Sequence, residues 1–126
     1  MDKAALVGMD VEKGSKILQI LDDAGLQVNV ALWAFLSDYE DWRLVLSSVK
    51  FDAEPKGGYR LYHQALEAAG ITLEETPLTM IFNTKDRFIR DLRKKYGKTK
   101  RVEGMRIYVQ TIGDRFIEDA YTYRVS

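Results

Sequence analysis

The tail of the chain, residues 105–125, constrains the fold most because its pattern fits a β-hairpin better than any other structure. Gly113-Asp114 lies between two runs of alternating residues and can supply the positive φ angles of a tight turn. One face of this hairpin is predicted to carry Met105, Ile107, Val109, Phe116, Ala120 and Thr122. The other is predicted to carry Arg106, Tyr108, Gln110, Arg115, Ile117, Asp119, Tyr121 and Tyr123. Glu118 would share the first face, so we expect it to be paired or to lie at the sheet edge.

Three segments show the 3.6-residue periodicity of amphipathic helices. They cover about residues 10–24, 58–69 and 84–96, and each is followed by a glycine. Asp10 and Thr84 are the predicted N-caps of the first and third helices, because their side-chain oxygens can accept from free backbone N–H groups.

Three further segments, at about 27–36, 42–48 and 78–82, are rich in β-branched and aromatic residues and predict strands. The first two are expected to pair as a hairpin across the polar loop 37–41. A helix over residues 28–41 is the competing interpretation, and it is disfavoured because β-branched and aromatic residues dominate the start of that segment.

The resulting order, α-β-β-α-β-α-β-β, predicts an α+β fold. We expect one domain over residues 1–126, with a flexible N-terminus at 1–9. The sheet should be mostly antiparallel and five-stranded, with the helices on one face. The chain has no cysteine, which excludes disulfides and thiolate metal sites and fits a cytoplasmic location. No apolar run approaches the roughly 20 residues that span a bilayer, so no membrane association is expected.

Positive charge is concentrated in one short stretch of this neutral chain. Residues 85–101 contain nine basic and two acidic residues, a net charge of +7, whereas residues 1–84 carry −6. A local positive field can recruit an anion even when the whole protein is neutral. The candidate anion-binding or nucleic-acid-binding residues are Arg87, Arg90, Lys94, Lys98, Lys100 and Arg101. The alternative is that these charges have no binding role. They would then form the solvated face of an amphipathic helix, whose last-turn cations complement the helix dipole.

The polar face of the tail hairpin is the second candidate. It would present Tyr108, Tyr121, Tyr123 and Arg106, a combination suited to stacking on bases or to a protein interface. The alternative is that a helix covers this face and the tyrosines are packing residues.

An enzyme is the rival class of function. Asp38, Asp41, Asp52, Glu54 and Lys56 could form a metal-dependent phosphodiester hydrolase, because carboxylates bind Mg²⁺ and a lysine can stabilise the transition state. Pro55 weakens this hypothesis, since it favours a loop over the rigid strand that such ligands need. The single histidine, His63, cannot build a zinc site alone, and no metal or cofactor is expected.

The sequence therefore favours a small non-enzymatic binding or assembly module that contacts an anionic partner through segment 85–101. Nucleic acid and an acidic protein surface are both candidate partners. Because residues 1–84 are acidic, a second copy of the chain is also a candidate, through charge-complementary surfaces.

Overall fold

The first strand along the chain is apolar on both faces, and this property organises the fold. A computed structural model describes residues 6, 8–99 and 102–126. The helices and strands, in chain order, are α1 (Gly8–Asp23), β1 (Val30–Leu36), β2 (Trp42–Ser47), α2 (Val49–Asp52), α3 (Tyr59–Ala68), β3 (Thr79–Ile81), α4 (Arg87–Tyr96), β4 (Arg106–Ile112) and β5 (Arg115–Val125). The α+β class and the order of the predicted elements are confirmed. The short α2 and a 3-10 turn at Pro55–Gly58 are additions that the periodicity did not predict.

The five strands form one sheet in the order β3-β2-β1-β5-β4. Three neighbouring pairs are antiparallel, but β3 runs parallel to β2. The sheet is therefore mixed, which corrects the expectation of a mostly antiparallel one. The parallel pairing follows from the connection, because α2, the 3-10 turn and α3 together form a crossover between β2 and β3.

Helices cover both faces of the sheet, so the expectation of helices on one face is wrong. Every residue of β1 is buried. Val30, Leu32, Ala34 and Leu36 share one core with the apolar side of α4, which we call the α4 face. Ala31 and Trp33 share a second core with α1 and α3, which we call the α1 face. A strand that is apolar on both sides requires a layer on each, since bare apolar surface in water is unfavourable.

A buried hydrogen-bond relay fastens α1 to the sheet. Nε1 of Trp33 donates to the Tyr123 hydroxyl at 2.9 Å, and that hydroxyl donates to the carbonyl of Val11 at 2.6 Å. Gly14 permits this approach, because a Cβ there would overlap the Tyr123 hydroxyl and lie 2.7 Å from Nε1 of Trp33. A glycine in the middle of a helix thus has a packing role, which outweighs its low helix propensity.

The predicted faces of the tail hairpin are correct only in part. Val109 has a positive φ of 42°, and the pairing of β1 with β5 shifts between Phe35 and Leu36, where Glu118 has no partner. These irregularities reverse the alternation, so Ile117 joins the core of the α4 face and Phe116 is exposed instead. Glu118 is half-buried and lies at the irregularity rather than on an apolar face.

The predicted N-cap of the third helix is also wrong. Thr84 is buried, and its backbone N–H and hydroxyl both donate to the carboxylate of Asp52. The helix begins three residues later, with Asp86 as its N-cap. Residues 8 and 9 belong to α1, and most of the segment predicted to be flexible lies outside the described residues.

Replacing Tyr123 with Phe is expected to destabilise the protein. The substitution leaves the buried Trp33 indole N–H without its acceptor, which costs about 1–3 kcal/mol in the free energy of unfolding. Urea denaturation followed by tryptophan fluorescence measures the change. Tyr121→Phe is the matched control, because the Tyr121 hydroxyl has no hydrogen-bond partner among the described residues. Equal losses in both variants would contradict a role for the relay.

Stability should also fall at alkaline pH. Burial raises the pKa of Tyr62, whose hydroxyl is bonded to Oγ1 of Thr79, to about 12. Burial likewise raises the pKa of Tyr123 to about 12. A folded-state pKa above the unfolded value of 10.0 contributes stability that is fully present below pH 10 and is lost between pH 10 and 12.

Unfolding free energies measured at pH 8, 10 and 11 test this dependence. The wild type should lose more stability over that range than Tyr62→Phe, which lacks one of the two groups. Parallel pH profiles for the two proteins would contradict the assignment to Tyr62.

Candidate anion-binding surface

The cationic segment folds as α4 because its apolar residues share one side. Phe88, Ile89 and Leu92 are fully buried in the core of the α4 face. The carboxylate of Asp86 accepts from the backbone N–H of Phe88 at 2.9 Å and caps the first turn. Arg93, Lys94 and Lys95 lie in the last turn, where cations complement the helix dipole. The apolar stripe therefore determines that the remaining side chains face solvent.

The tail hairpin fixes the position of α4 at both of its ends. The turn residue Gly113 has a φ of 62°, and a Cβ there would lie 3.0 Å from the backbone of Arg87 and of Phe88. At the other end, the Gln110 amide donates to the Tyr96 hydroxyl at 3.0 Å. Nε of Arg93 donates to the carbonyl of Ser126 at 2.8 Å. No local sequence pattern predicts these long-range contacts.

Four exposed cations form a line along the outer side of this helix: Arg87, Arg90, Lys94 and Lys98. We call them the basic row. At about 100° per residue, the three helical members lie within an arc of about 60°. Gly97 keeps right-handed helical angles, with φ −61° and ψ −19°, so Lys98 continues the line by about one turn. Arg87, Arg90 and Lys94 thus lie on the side that the helical periodicity predicted, and the structure adds Lys98 to the same side.

No member of the basic row forms an ion pair with any residue in the described ranges. Four of the five described arginines outside α4 behave differently. Arg43, Arg106, Arg115 and Arg124 are paired with Asp41, Asp119, Asp38 and Asp22, respectively. The Arg124 guanidinium lowers the pKa of the Asp22 carboxyl, chiefly through its hydrogen bonds.

One acidic residue lies among the cations. Asp91 is half-buried on α4 and makes no ion pair within 4 Å with a described cation. A shallow, open depression of about 530 Å³ runs beside it, lined by Arg90, Asp91, Arg93, Lys94, Gly97, Lys98 and Ser126. Most of this lining is cationic, so the depression suits an anionic group more than a neutral one. Lys100 and Arg101, the last two predicted contacts, lie outside the described residues.

The tail tyrosines do not join this surface. Ile107 packs with α4, so its neighbours Arg106 and Tyr108 point to the α1 face, as does Tyr121. The two predicted candidate regions therefore lie on opposite faces of the sheet. We call Arg106, Tyr108 and Tyr121 the tyrosine surface, because they remain wholly or partly accessible where neither α1 nor α3 covers the sheet.

Two features limit what the tyrosine surface can bind. Tyr123 is only 9% exposed and its hydroxyl is held in the relay, so the prediction that it stacks on a ligand is corrected. Arg106 donates two hydrogen bonds from Nη2 to the Asp119 carboxylate, at 2.7 and 2.8 Å. This pair neutralises the cation that would otherwise attract phosphates.

Three of the four carboxylates of the hydrolase hypothesis have partners within the protein instead, whereas Glu54 is half-buried and Lys56 is exposed. Asp52 binds Thr84, Asp41 pairs with Arg43, and Asp38 lies 3.6 Å from Arg115. Over the ranges that the structure describes, no three carboxylate or imidazole groups come together to hold a metal ion. The geometry thus gives this alternative no support.

Comparisons of the chain with known protein families, with curated proteins and with solved structures gave no match. Within the described part of the chain, every helix is too short or too polar to cross a membrane. Any functional conclusion therefore depends on the geometry alone.

Gly113→Ala is expected to disturb the attachment of α4. The left-handed conformation alone costs an alanine about 1–2 kcal/mol, and the contact with the α4 backbone adds to that cost. Thermal unfolding should show a lower midpoint than for wild type. Gly25→Ala is the matched control, because Gly25 also has a positive φ, of 75°, but its Cβ would meet nothing within 4 Å. A smaller loss for Gly113→Ala than for Gly25→Ala would contradict the close approach.

Proposed function

We propose that this protein is a non-enzymatic binding module that contacts an anionic partner through the basic row. The observation that supports this is the contrast between unpaired and paired cations. Each cation of the basic row is exposed and lacks a carboxylate partner in the described structure, whereas four arginines elsewhere have one.

The contrast matters energetically because like charges on one helix face repel one another. Like-charged side chains one turn apart destabilise a helix by about 0.2–0.5 kcal/mol per pair. The chain contains as many acidic as basic residues, so counter-charges are available in the composition. An external anion relieves the repulsion, which makes binding to a polyanion favourable at low salt.

The test is retention on a heparin column, with heparin as a generic polyanion. The double variant Lys94→Glu/Lys98→Glu should elute at a clearly lower salt concentration than wild type, because it reverses half of the basic row. Lys13→Glu/Lys16→Glu is the matched control. It changes net charge by the same amount at exposed lysines of α1, on the opposite face, and should elute nearer to wild type.

Two results would contradict the proposal. One is wild-type protein that passes through the column at about 50 mM salt, where the Debye length is longer than at physiological ionic strength. The other is an equal shift for both double variants, which would show a dependence on net charge without a specific surface. Circular dichroism of each variant verifies that its fold is retained.

A further inference from the structure

We propose that the anionic partner is double-stranded nucleic acid, whose phosphates the basic row contacts without reading the bases. This inference rests on the proposed function, that the basic row binds anions, and it names the partner. Three observations favour a duplex over an acidic protein surface or a single strand.

The first observation is that α4 and the described turns beside it expose no large apolar side chain. The large apolar side chains that the described residues expose are Met9, Val49, Tyr59, Leu73, Leu78, Tyr108, Val109 and Phe116. All of them lie outside α4 and its flanking turns. Protein–protein interfaces usually have a core enriched in apolar and aromatic residues and depleted of charge. Protein–nucleic acid interfaces are more polar and strongly positive, as this surface is.

The second observation is the length and composition of the row. Arg87 and Lys98 are eleven residues apart, about 16 Å along a helix that rises 1.5 Å per residue. One strand of a B-form duplex carries a phosphate about every 3.4 Å along its axis, so the row spans about five phosphates. Arg87 and Arg90 can each bind a phosphate with two parallel N–H donors, and Lys94 and Lys98 add point charges.

The third observation separates a duplex from a single strand. Single-strand sites stack bases on accessible aromatic rings. Among the described residues of α4, the one aromatic ring outside the core is Tyr96, which is half-buried, with its hydroxyl bonded to Gln110. The accessible rings of Tyr108 and Tyr121 lie on the opposite face. A regular, rod-like helix bearing cations instead fits against a duplex backbone or its roughly 12 Å wide major groove.

Removal of the negative charge of Asp91 should have the opposite effect to removal of a cation, namely a gain in affinity. Asp91 lies about 40° around the helix from Arg87, just beyond the edge of the basic row, and it lines the cationic depression. It would repel a phosphate backbone, so Asp91→Asn should bind a duplex several-fold more tightly at low salt. This variant adds no cation, and a gain in affinity would locate the duplex on this side of α4.

The experiment measures fluorescence anisotropy of labelled 20-bp duplexes as a function of salt. Two DNA duplexes of unrelated sequence, one RNA duplex and one single strand are the probes, so DNA and RNA sources are distinguished.

With four phosphate contacts, log K should fall with log salt with a slope of about −3.6 for B-form DNA. Arg90→Gln/Lys94→Gln should reduce this slope to about −1.8, since it removes two contacts. Lys13→Gln/Lys16→Gln, on α1, is the matched control and should keep the wild-type slope.

Each outcome supports or overturns a defined statement. Similar affinities for the two DNA sequences, with the slope change confined to the α4 variant, support the inference. Retention on heparin or binding to polyglutamate without duplex binding would overturn the inference and leave the proposed function standing. If the wild-type protein binds neither heparin, nor polyglutamate, nor any of the nucleic acid probes, both the inference and the proposed function are overturned. Single-strand binding ten-fold tighter than duplex binding, or a ten-fold preference for one DNA sequence, would overturn the duplex, phosphate-only mode.

Discussion

The burial of β1 on both faces is the constraint on which the rest of the structure depends. Its seven residues are all buried, and alternate side chains enter two separate cores. Two cores require two helical layers, which α1 and α3 supply on one side and α4 on the other. The crossover through α3 follows from the same requirement, because the chain must leave the sheet to cover its face and return as β3. The parallel pairing of β2 with β3 results from this path.

The division into two layers also determines what the candidate sites can be. The cationic helix covers the α4 face, so its charges point away from the sheet on that side. The tyrosine surface opens on the other side, where α1 and α3 leave β4 and β5 uncovered. One continuous site made from both regions is therefore not available. The described part of the basic segment is therefore separate from the tail tyrosines, and the one aromatic ring of α4 outside the core, Tyr96, is half-buried. This is why we propose a partner that is contacted through its phosphates.

Much of the fold could be predicted from local patterns. The bounds of β1, β2, α3 and α4 agree with the periodicity to within about three residues, because the alternation of apolar side chains is a property of each segment alone. The exposure of Arg87, Arg90 and Lys94 followed from the same periodicity. The sheet face on which the tail tyrosines lie could not be predicted in this way. The positive φ of Val109 and the irregularity at Glu118 reverse the alternation of side chains between the two faces. An irregularity of this kind depends on the partner strand, which local alternation does not describe.

The sequence by itself determined the elements other than the short α2 and the 3-10 turn, their order, and the concentration of cations on the outer side of one helix. Those properties depend on the spacing of apolar residues within about a dozen positions. Only the tertiary structure decided which charges are paired, which face each helix covers, and that Tyr123 is part of the core. These depend on contacts between residues up to 112 positions apart, such as the bond from Tyr123 to Val11. Long-range contacts of this kind are fixed by packing two layers against one sheet, and no local pattern encodes them.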